Sequence, residues 1–511
     1  MTTRRIYPGR TGMHRSLSEI DAALAQKQRQ LVALTPPRDP HAMLAFEGAL
    51  HRLGGEIADL HTARAITCAH LDADFKVRAA TAARRLFWDE GLLGRIDNKG
   101  WEDTTVRLRH GLVLSLRTPY LRPSRKGWTG RPRIYRGTAG TGRFAVLEAL
   151  GITDGVTPAL RGEVARLVVQ CASYQEARDQ LARDGVICDV SVIVHLAVRT
   201  GVAALRQRAA AIAGVLDGPL LGGTLLAGKR VRLGLDGGRV RTRKNQRQGR
   251  RRKNGHRGFE TPWREPRLLT IEVLDEEGNP DPEVPPIYET FLGTAADIFR
   301  QIEGLLRLLG ISQAQVVEFL SDGADWIWRH VDGLFERLGV PSERLRLVLD
   351  YYHACEHLHA AVRACKNLSS SQQTAFYTKL SKQLLTSAGV DAVVSRLRPL
   401  VRGRRSRAIK AEIKYFTGHL GHMNYAALLS EKLSIGSGAV ESGIRRIVNL
   451  RFKAASIFWR EDHVEPLLLL RAILKSGRWD AFLHGFLDRQ YHLLPAQLDA
   501  VEPTPCIKLA A

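Results

Sequence analysis

The sequence predicts an α/β chain in which a mixed-sheet core is interrupted by an all-helical insertion and preceded by a helical region. Three observations predict it. The apolar period changes from helical to strand-like at Arg230. Short apolar runs ending in aspartate then alternate with amphipathic helical patterns. Residues 353–432 finally read as almost wholly helical, too long a stretch for a loop inside a compact domain. The 511 residues, 44% apolar and 25% charged, suit a globular protein of several domains. The parsing is 1–137 (helices, a small hairpin and a basic linker), 138–228 (a helix-turn-helix-like unit), 229–352 and 434–475 (the two parts of the core), 353–433 (the insertion) and 476–511 (a helical tail).

Charge narrows the partner. Lys and Arg number 76 against 52 Asp and Glu, a formal net charge of +24. A polyanion fits that surplus, because neutralising phosphates releases counterions. No apolar run approaches the ~20 residues of a membrane span, and no apolar segment follows Arg4, Arg5 and Arg10 as in a secretory signal, so a cytoplasmic, nucleoid-associated protein is expected. The six cysteines include no Cys-x-x-Cys pair, which argues against both a disulfide framework and a thiolate zinc ribbon.

Residues 16–34 carry Leu17, Ile20, Leu24, Leu31 and Leu34 at helical spacing, closed by Pro36, Pro37 and Pro40, and a second helix starts near His41. Alternation around Gly111 suits a small hairpin over 104–116. Residues 118–137 form a Pro/Gly-rich basic stretch with Tyr120, Trp128 and Tyr135 interleaved, which reads equally as a phosphate-tracking strand or a solvated linker. Three short helices are expected over 157–201, the middle one opening with a Ser173–Glu176 capping box. Their spacing is that of a helix-turn-helix, but the second helix offers only His195 and Arg199, and a purely structural trihelical unit stays open.

In the core, Val231, Leu233 and Leu235 alternate up to Asp236, and 268–274 and 286–292 supply two more strands, most economically antiparallel. Thr294 caps a helix ending at Gly310. Residues 316–320 lead into Asp322, a helix follows, and 345–349 lead into Asp350. The order β-β-β-α-β-α-β-α is the ribonuclease H-like order. In it the first and fourth strands lie side by side in parallel, so Asp236 and Asp322 are expected across from one another.

Phosphodiester chemistry needs carboxylates to hold two hard divalent cations, Mg²⁺ or Mn²⁺. Asp236 and Asp322 supply two, and the third is expected from a later helix, where Gly436-Ser437-Gly438-Ala439-Val440-Glu441 offers Glu441 with Arg445 one turn on. Asp236 and Asp322 taken singly read as turn residues, and Glu441 as an exposed pair with Arg445. Between the strands lies a basic insertion, 241–257, with Arg241, Arg243, Lys244, Arg247, Arg250, Arg251, Arg252, Lys253 and Arg257. So many cations in one loop repel each other unless an anion is near, so DNA contact is expected. His353-Ala354-Cys355-Glu356-His357 spells an inverted zinc-peptidase motif, but the charge and the strand-ending aspartates favour a helix that braces the insertion.

Taken in order, Leu235-Asp236-Gly237-Gly238-Arg239-Val240, Ser321-Asp322-Gly323-Ala324-Asp325-Trp326, Leu349-Asp350-Tyr351-Tyr352-His353 and Gly436-Ser437-Gly438-Ala439-Val440-Glu441-Ser442, with Arg451-Phe452-Lys453 downstream, resemble the DDE transposases of bacterial insertion sequences, especially the Kra-type group and relatives with a helical insertion. The resemblance spans roughly 140–475. It implies Asp236, Asp322 and Glu441 as catalytic triad and metal ligands. It also implies Asp350 and His353 as the Asp-x-x-His motif beside the site, and double-stranded DNA at element ends and target as partner of a dimer. Arg445, Arg451 and Lys453 join the basic insertion as DNA contacts. The cysteine ribbon of many relatives has no counterpart in 107–123. Two other functions fit the same residues: a nuclease without strand transfer, and a non-catalytic DNA-binding protein. Asp350 competes with Asp322 for the second metal position. The bulky Tyr351, Tyr352 and His353 that follow it assign Asp350, with His353, to an orienting hydrogen bond instead.

Overall fold

The computed structural model describes residues 16–89, 96–123, 142–218, 222–245, 258–401, 406–454 and 457–493. The chain is mixed α/β and divides into two compact units, Met1–Thr200 and Gly201–Ala511. Among the described residues no helix is long and apolar enough to cross a membrane.

In the first unit, helix α1 (Leu17–Val32) starts at a capping box made by Ser16 and Glu19. It packs on the long α2 (Pro40–Leu71), which α3 (Ala73–Asp89) follows. Strands β1 (Ile96–Arg107) and β2 (Val113–Pro123) form an antiparallel hairpin, longer than the sequence suggests, with β3 (Arg143–Phe144) added at its edge. The basic stretch therefore begins inside β2, and its remainder, 124–137, lies outside the described residues. The hairpin turn is pinned by Asp59 of α2, whose buried carboxylate accepts from the amides of His110 and Leu112. After α4 (Ala145–Ala149) come α5 (Pro158–Gln170), α6 (Tyr174–Arg183) and the start of α7 (Val190–Leu216), whose residues from Gly201 on belong to the second unit.

Three features differ from the sequence reading here. Ser173 caps the Glu176 amide, but Glu176 accepts from the amide of Ala172 rather than completing the box. Helix α7 runs far past Arg199, because Gly201 fits against the Pro466 carbonyl without ending the helix. The expected boundary at 137 also falls inside one unit. Arg107 exchanges backbone hydrogen bonds with Gly155 and Thr157 and donates from its guanidinium to the Ile187 carbonyl.

The second unit is built on a five-stranded open sheet. After β4 (Arg230–Gly237), a short strand group holds β5 (Val240–Asn245), β6 (Phe259–Glu260) and β7 (Trp263–Arg264). The main sheet continues with β8 (Arg267–Leu274) and β9 (Ile287–Phe291), then α8 (Ala295–Leu309), β10 (Val316–Ser321), α9 (Asp325–Arg337) and β11 (Leu345–Leu349). The strand order is β11-β10-β4-β8-β9. Strands β4 and β10 are parallel, as are β10 and β11, whereas β4, β8 and β9 run antiparallel in turn. The two-residue side-chain period gives the sheet two different faces. Val231, Leu233, Leu235, Ile271, Val317 and Phe319 are buried with α8 and α9. The other face carries Arg232, Gly234 and Asp236 on β4 and Glu318 and Leu320 on β10, paired Glu318–Arg232 and Leu320–Gly234.

The helical insertion comprises α10 (Tyr351–Arg363), α11 (Ser370–Leu384), α12 (Gly389–Leu397), α13 (Arg407–Gly418) and α14 (Tyr425–Ser430). Its core includes Leu358, Leu380, Val393 and Phe416, and it joins the sheet at Leu320, Val348 and Leu349. The chain then returns through α15 (Gly438–Ile444), a π-helical turn (Arg445–Asn449) and α16 (Leu450–Phe452). Strand β12 (Trp459–Arg460), which pairs with β5, leads into α17 (Glu461–Lys475) and α18 (Trp479–Asp488). The basic stretch that the sequence presents as a loop from Arg241 is thus a strand to Asn245. Val240 and Thr242 point inward and Arg241 and Arg243 outward, so the two arginines share one face of it, while the exposed Lys244 falls on the other. Residues 246–257, with Arg247, Arg250, Arg251, Arg252, Lys253 and Arg257, lie outside the described residues.

Helix α15 lies directly on β4 and β8. A β-carbon at Gly234 would stand 2.6 Å from Thr270 Oγ1 and 2.9 Å from Val440 Cβ. Gly234→Val is therefore expected to lower unfolding free energy by about 1–3 kcal/mol, since overpacking forces the helix off the sheet. Gly54→Ala, in α2 with open space around it, is expected to gain about 0.5–1 kcal/mol through helix propensity alone. Urea unfolding followed by circular dichroism checks both.

Candidate active site

The register that pairs Ser321 with Leu235 makes Asp322 and Asp236 the next residues along two adjacent parallel strands, on the same face. The Ser321 hydroxyl donates to the Leu235 carbonyl at 2.9 Å and ties the two strand ends together. Asp236 Oδ1 accepts from the Gly237 amide, and Asp322 Oδ1 accepts from the Ala324 amide at 3.1 Å. Both carboxylates are thereby half-buried at the sheet edge, held by their own backbone. Burial pushes the Asp236 carboxyl above its ordinary 3.8. The Gly237 amide opposes the rise, and the neighbouring Asp322 and Glu441 add to it.

Glu441 reaches this edge from the first turn of α15. It makes no ion pair with Arg445 among the described residues. Its Oε1 lies 2.8 Å from the Ser437 hydroxyl, and that hydroxyl also donates to Asp350 Oδ2. One hydroxyl hydrogen serves two carboxylates. Ser437 stands at the N-cap of α15 but makes no capping bond, its side chain being committed to the acids instead. As placed, no three His, Cys, Asp or Glu side chains among the described residues close on a common point within metal-coordinating reach. Glu441 is turned toward Ser437.

Asp350 is 4% exposed. Its amide donates to the Ser321 carbonyl, and its Oδ1 accepts from the Tyr352 amide at 2.8 Å. The expected bond to His353 is not formed. Asp350 folds over the start of α10 and meets Ser437, while His353 Nδ1 stands 3.5 Å from Glu356, on the insertion side. The partner that Asp350 orients is therefore the start of the Glu441 helix. His357 bonds Glu412 at 2.7 Å and stacks on Tyr415 with ring centroids 3.6 Å apart, bracing α10 against α13. The Tyr415 hydroxyl is buried beside Gly323 with no hydrogen-bond partner among the described residues. Burial raises its pKa, and the Asp322 and Asp350 charges raise it further.

The expected basic contacts divide. Arg241, Arg243, Lys244, Arg445 and Lys453 are exposed. Arg451 is not a surface contact: it is buried with its guanidinium 4.8 Å from the Trp459 ring centroid, a packing role. Sequence reasoning missed Ser437 and Tyr415. Ser437 has a faint signal, standing one helical turn before Glu441; Tyr415 has none, since only the insertion's packing brings it to Asp322. No family profile, characterised protein or solved structure matches the chain.

An acid whose folded pKa is raised binds its proton more tightly in the folded state, so stability falls as pH rises from 3.8 through that pKa. In chelator-containing buffer at pH 8, Asp236→Asn is expected to melt above wild type, since asparagine still accepts from the Gly237 amide without the charge. The gap should narrow as the pH is lowered toward the ordinary carboxylate range, as read by differential scanning calorimetry.

Proposed function

We propose that this chain is a DDE transposase with a ribonuclease H-like core, cleaving DNA at the ends of an insertion sequence and transferring the freed strand to target DNA. The observation that carries the reading is the placement of Asp236 and Asp322 on adjacent parallel strand ends, with Glu441 carried to the same edge by a helix lying on that sheet. The strand order, three antiparallel strands followed by two parallel ones on the far side of the first, supports the core assignment.

Two Mg²⁺ or Mn²⁺ ions would be held by Asp236, Asp322 and Glu441, and when bound supply positive charge to the attacking and leaving oxygens. Carboxylate oxygens are the ligands such hard ions take. Asp236 is pushed up by burial and by its acidic neighbours, and none of the three has an ion-pair partner among the described residues. The Ser437 hydroxyl, shared with Asp350, keeps the α15 carboxylate near the strand ends. Arg241, Arg243, Lys244, Arg445 and Lys453 bind the phosphate backbone of double-stranded DNA. They orient an in-line displacement, first by water and then by the freed 3′-hydroxyl, without a covalent protein intermediate. A dimer on DNA within the nucleoid completes the reading.

Asp236→Asn, Asp322→Asn and Glu441→Gln are each expected to abolish Mg²⁺-dependent cleavage of end-containing DNA while leaving gel-shift affinity nearly unchanged. Wild type should yield joined products with a target plasmid; cleavage without joining identifies a nuclease instead. Asp350→Asn is expected to melt lower than wild type in metal-free buffer yet still gain melting temperature on adding Mg²⁺, whereas Asp322→Asn should melt near wild type and gain nothing. The reverse pattern exchanges the roles of the two aspartates.

A further inference from the structure

The small sheet that follows β4 has an outward face whose aromatic rings the catalytic reading does not use. The pairings Arg241–Trp263 and Asn245–Phe259 across antiparallel neighbours, and Arg243 with Arg460 across the parallel one, put Arg241, Arg243, Trp263, Phe259 and Arg460 on one side. Val240 and Thr242 are buried on the other. The Arg241 guanidinium carbon lies 4.9 Å from the Trp263 ring centroid and 5.8 Å from that of Phe458, and Phe458 in turn meets Phe259 edge-on at 5.4 Å. Trp263 nevertheless stays 48% exposed and Phe259 36%.

The charges on this face are arranged with a purpose. At its rim Arg239 pairs with Glu265, Arg264 with Glu461 and Arg460 with Asp462. At its centre Arg241 and Arg243 have no carboxylate partner among the described residues. Exposed rings set among unmatched cations suit a flexible polyanion whose own flat faces are open. A duplex hides its base faces inside the stack and offers the rings nothing, whereas an unpaired strand offers both phosphates and bases. The face also begins close to the proposed site, since Arg241 is five residues of chain, at most about 18 Å, beyond Asp236.

We propose that the outer face of β5–β7 is a stacking platform for an unpaired DNA strand, with Trp263 and Phe259 taking bases and Arg241 and Arg243 taking phosphates. The proposal rests on the polynucleotide substrate assigned to the Asp236 edge and adds the form of that substrate beside it.

The test is fluorescence anisotropy of the full chain with a labelled oligo(dT) of about 20 nucleotides and with a duplex of equal length, at one fixed salt concentration. Trp263→Ala is expected to weaken oligo(dT) binding about tenfold and duplex binding less than about twofold, because a stacking ring serves only open bases. Trp263→Phe, which keeps a ring, should stay close to wild type, and Arg243→Ala should weaken both ligands. Equal losses for both ligands in Trp263→Ala, no loss for either, or a Trp263→Phe variant as weak as Trp263→Ala would overturn the platform. Asp236→Asn separates the two readings. Cleavage surviving in that variant defeats the active-site assignment and leaves the oligo(dT) result standing, while intact cleavage chemistry with no Trp263 effect defeats the platform alone.

Discussion

The second unit depends on a side chain that is not there. Gly234 lets Val440 of α15 sit against the backbone of the central strand, and Gly238 receives Val448 in the same way about two helical turns later. Between those contacts the helix widens into a π turn, which buries Ile447 and Val448 on the sheet and leaves Arg445 and Arg446 exposed. With bulk at either glycine the helix would stand off the sheet, and Glu441 would leave the edge where Asp236 and Asp322 end their strands. The carboxylate geometry is thus set by apolar contacts next to the charges rather than by the charges themselves.

Charge is handled in opposite ways within one unit. Glu289, fully buried, is met by Arg208 at 3.1 Å, by Arg478 at 2.8 Å and by the Tyr491 hydroxyl at 2.7 Å. Glu318, also fully buried, is met by Arg232 at 2.8 Å, and Arg232 reaches on to Glu272. Removing one partner from such a pair leaves a buried charge uncompensated, at a cost of about 3–5 kcal/mol. A chain with 24 more positive than negative side chains has arginines to spare, yet among the described residues Asp236, Asp322 and Glu441 form no ion pair, and only the charge of nearby Arg267 acts on Asp236. In the proposed function that deficit is the affinity for cations.

Period-two alternation made the central strands legible, because each has one face on the α8–α9 core, and the aspartates announced themselves by ending those strands. The long helical stretch after Asp350 was legible by length alone. Other features were hidden for physical reasons. Nine cations in 241–257 masked the alternation of Val240 and Thr242, so β5 looked like loop. Arg451 reads as a surface cation until Trp459, eight residues on, is seen beneath its guanidinium. Asp350 meets the Ser437–Glu441 turn only through tertiary packing, across a separation that no spacing rule spans.

The insertion leaves the sheet at Tyr351 and returns at Ile435, and a single backbone hydrogen bond of 2.8 Å from the Tyr351 amide to the Ile435 carbonyl closes its neck. The two ends are held by the sheet and by each other, so the path between them is free to lengthen. Closing a longer excursion costs only about 0.6 kcal/mol for each doubling. The neck therefore works as a grafting point. Lineages or designers can exchange the helices beyond it, changing what the insertion touches, while the spacing of the three carboxylates is inherited intact.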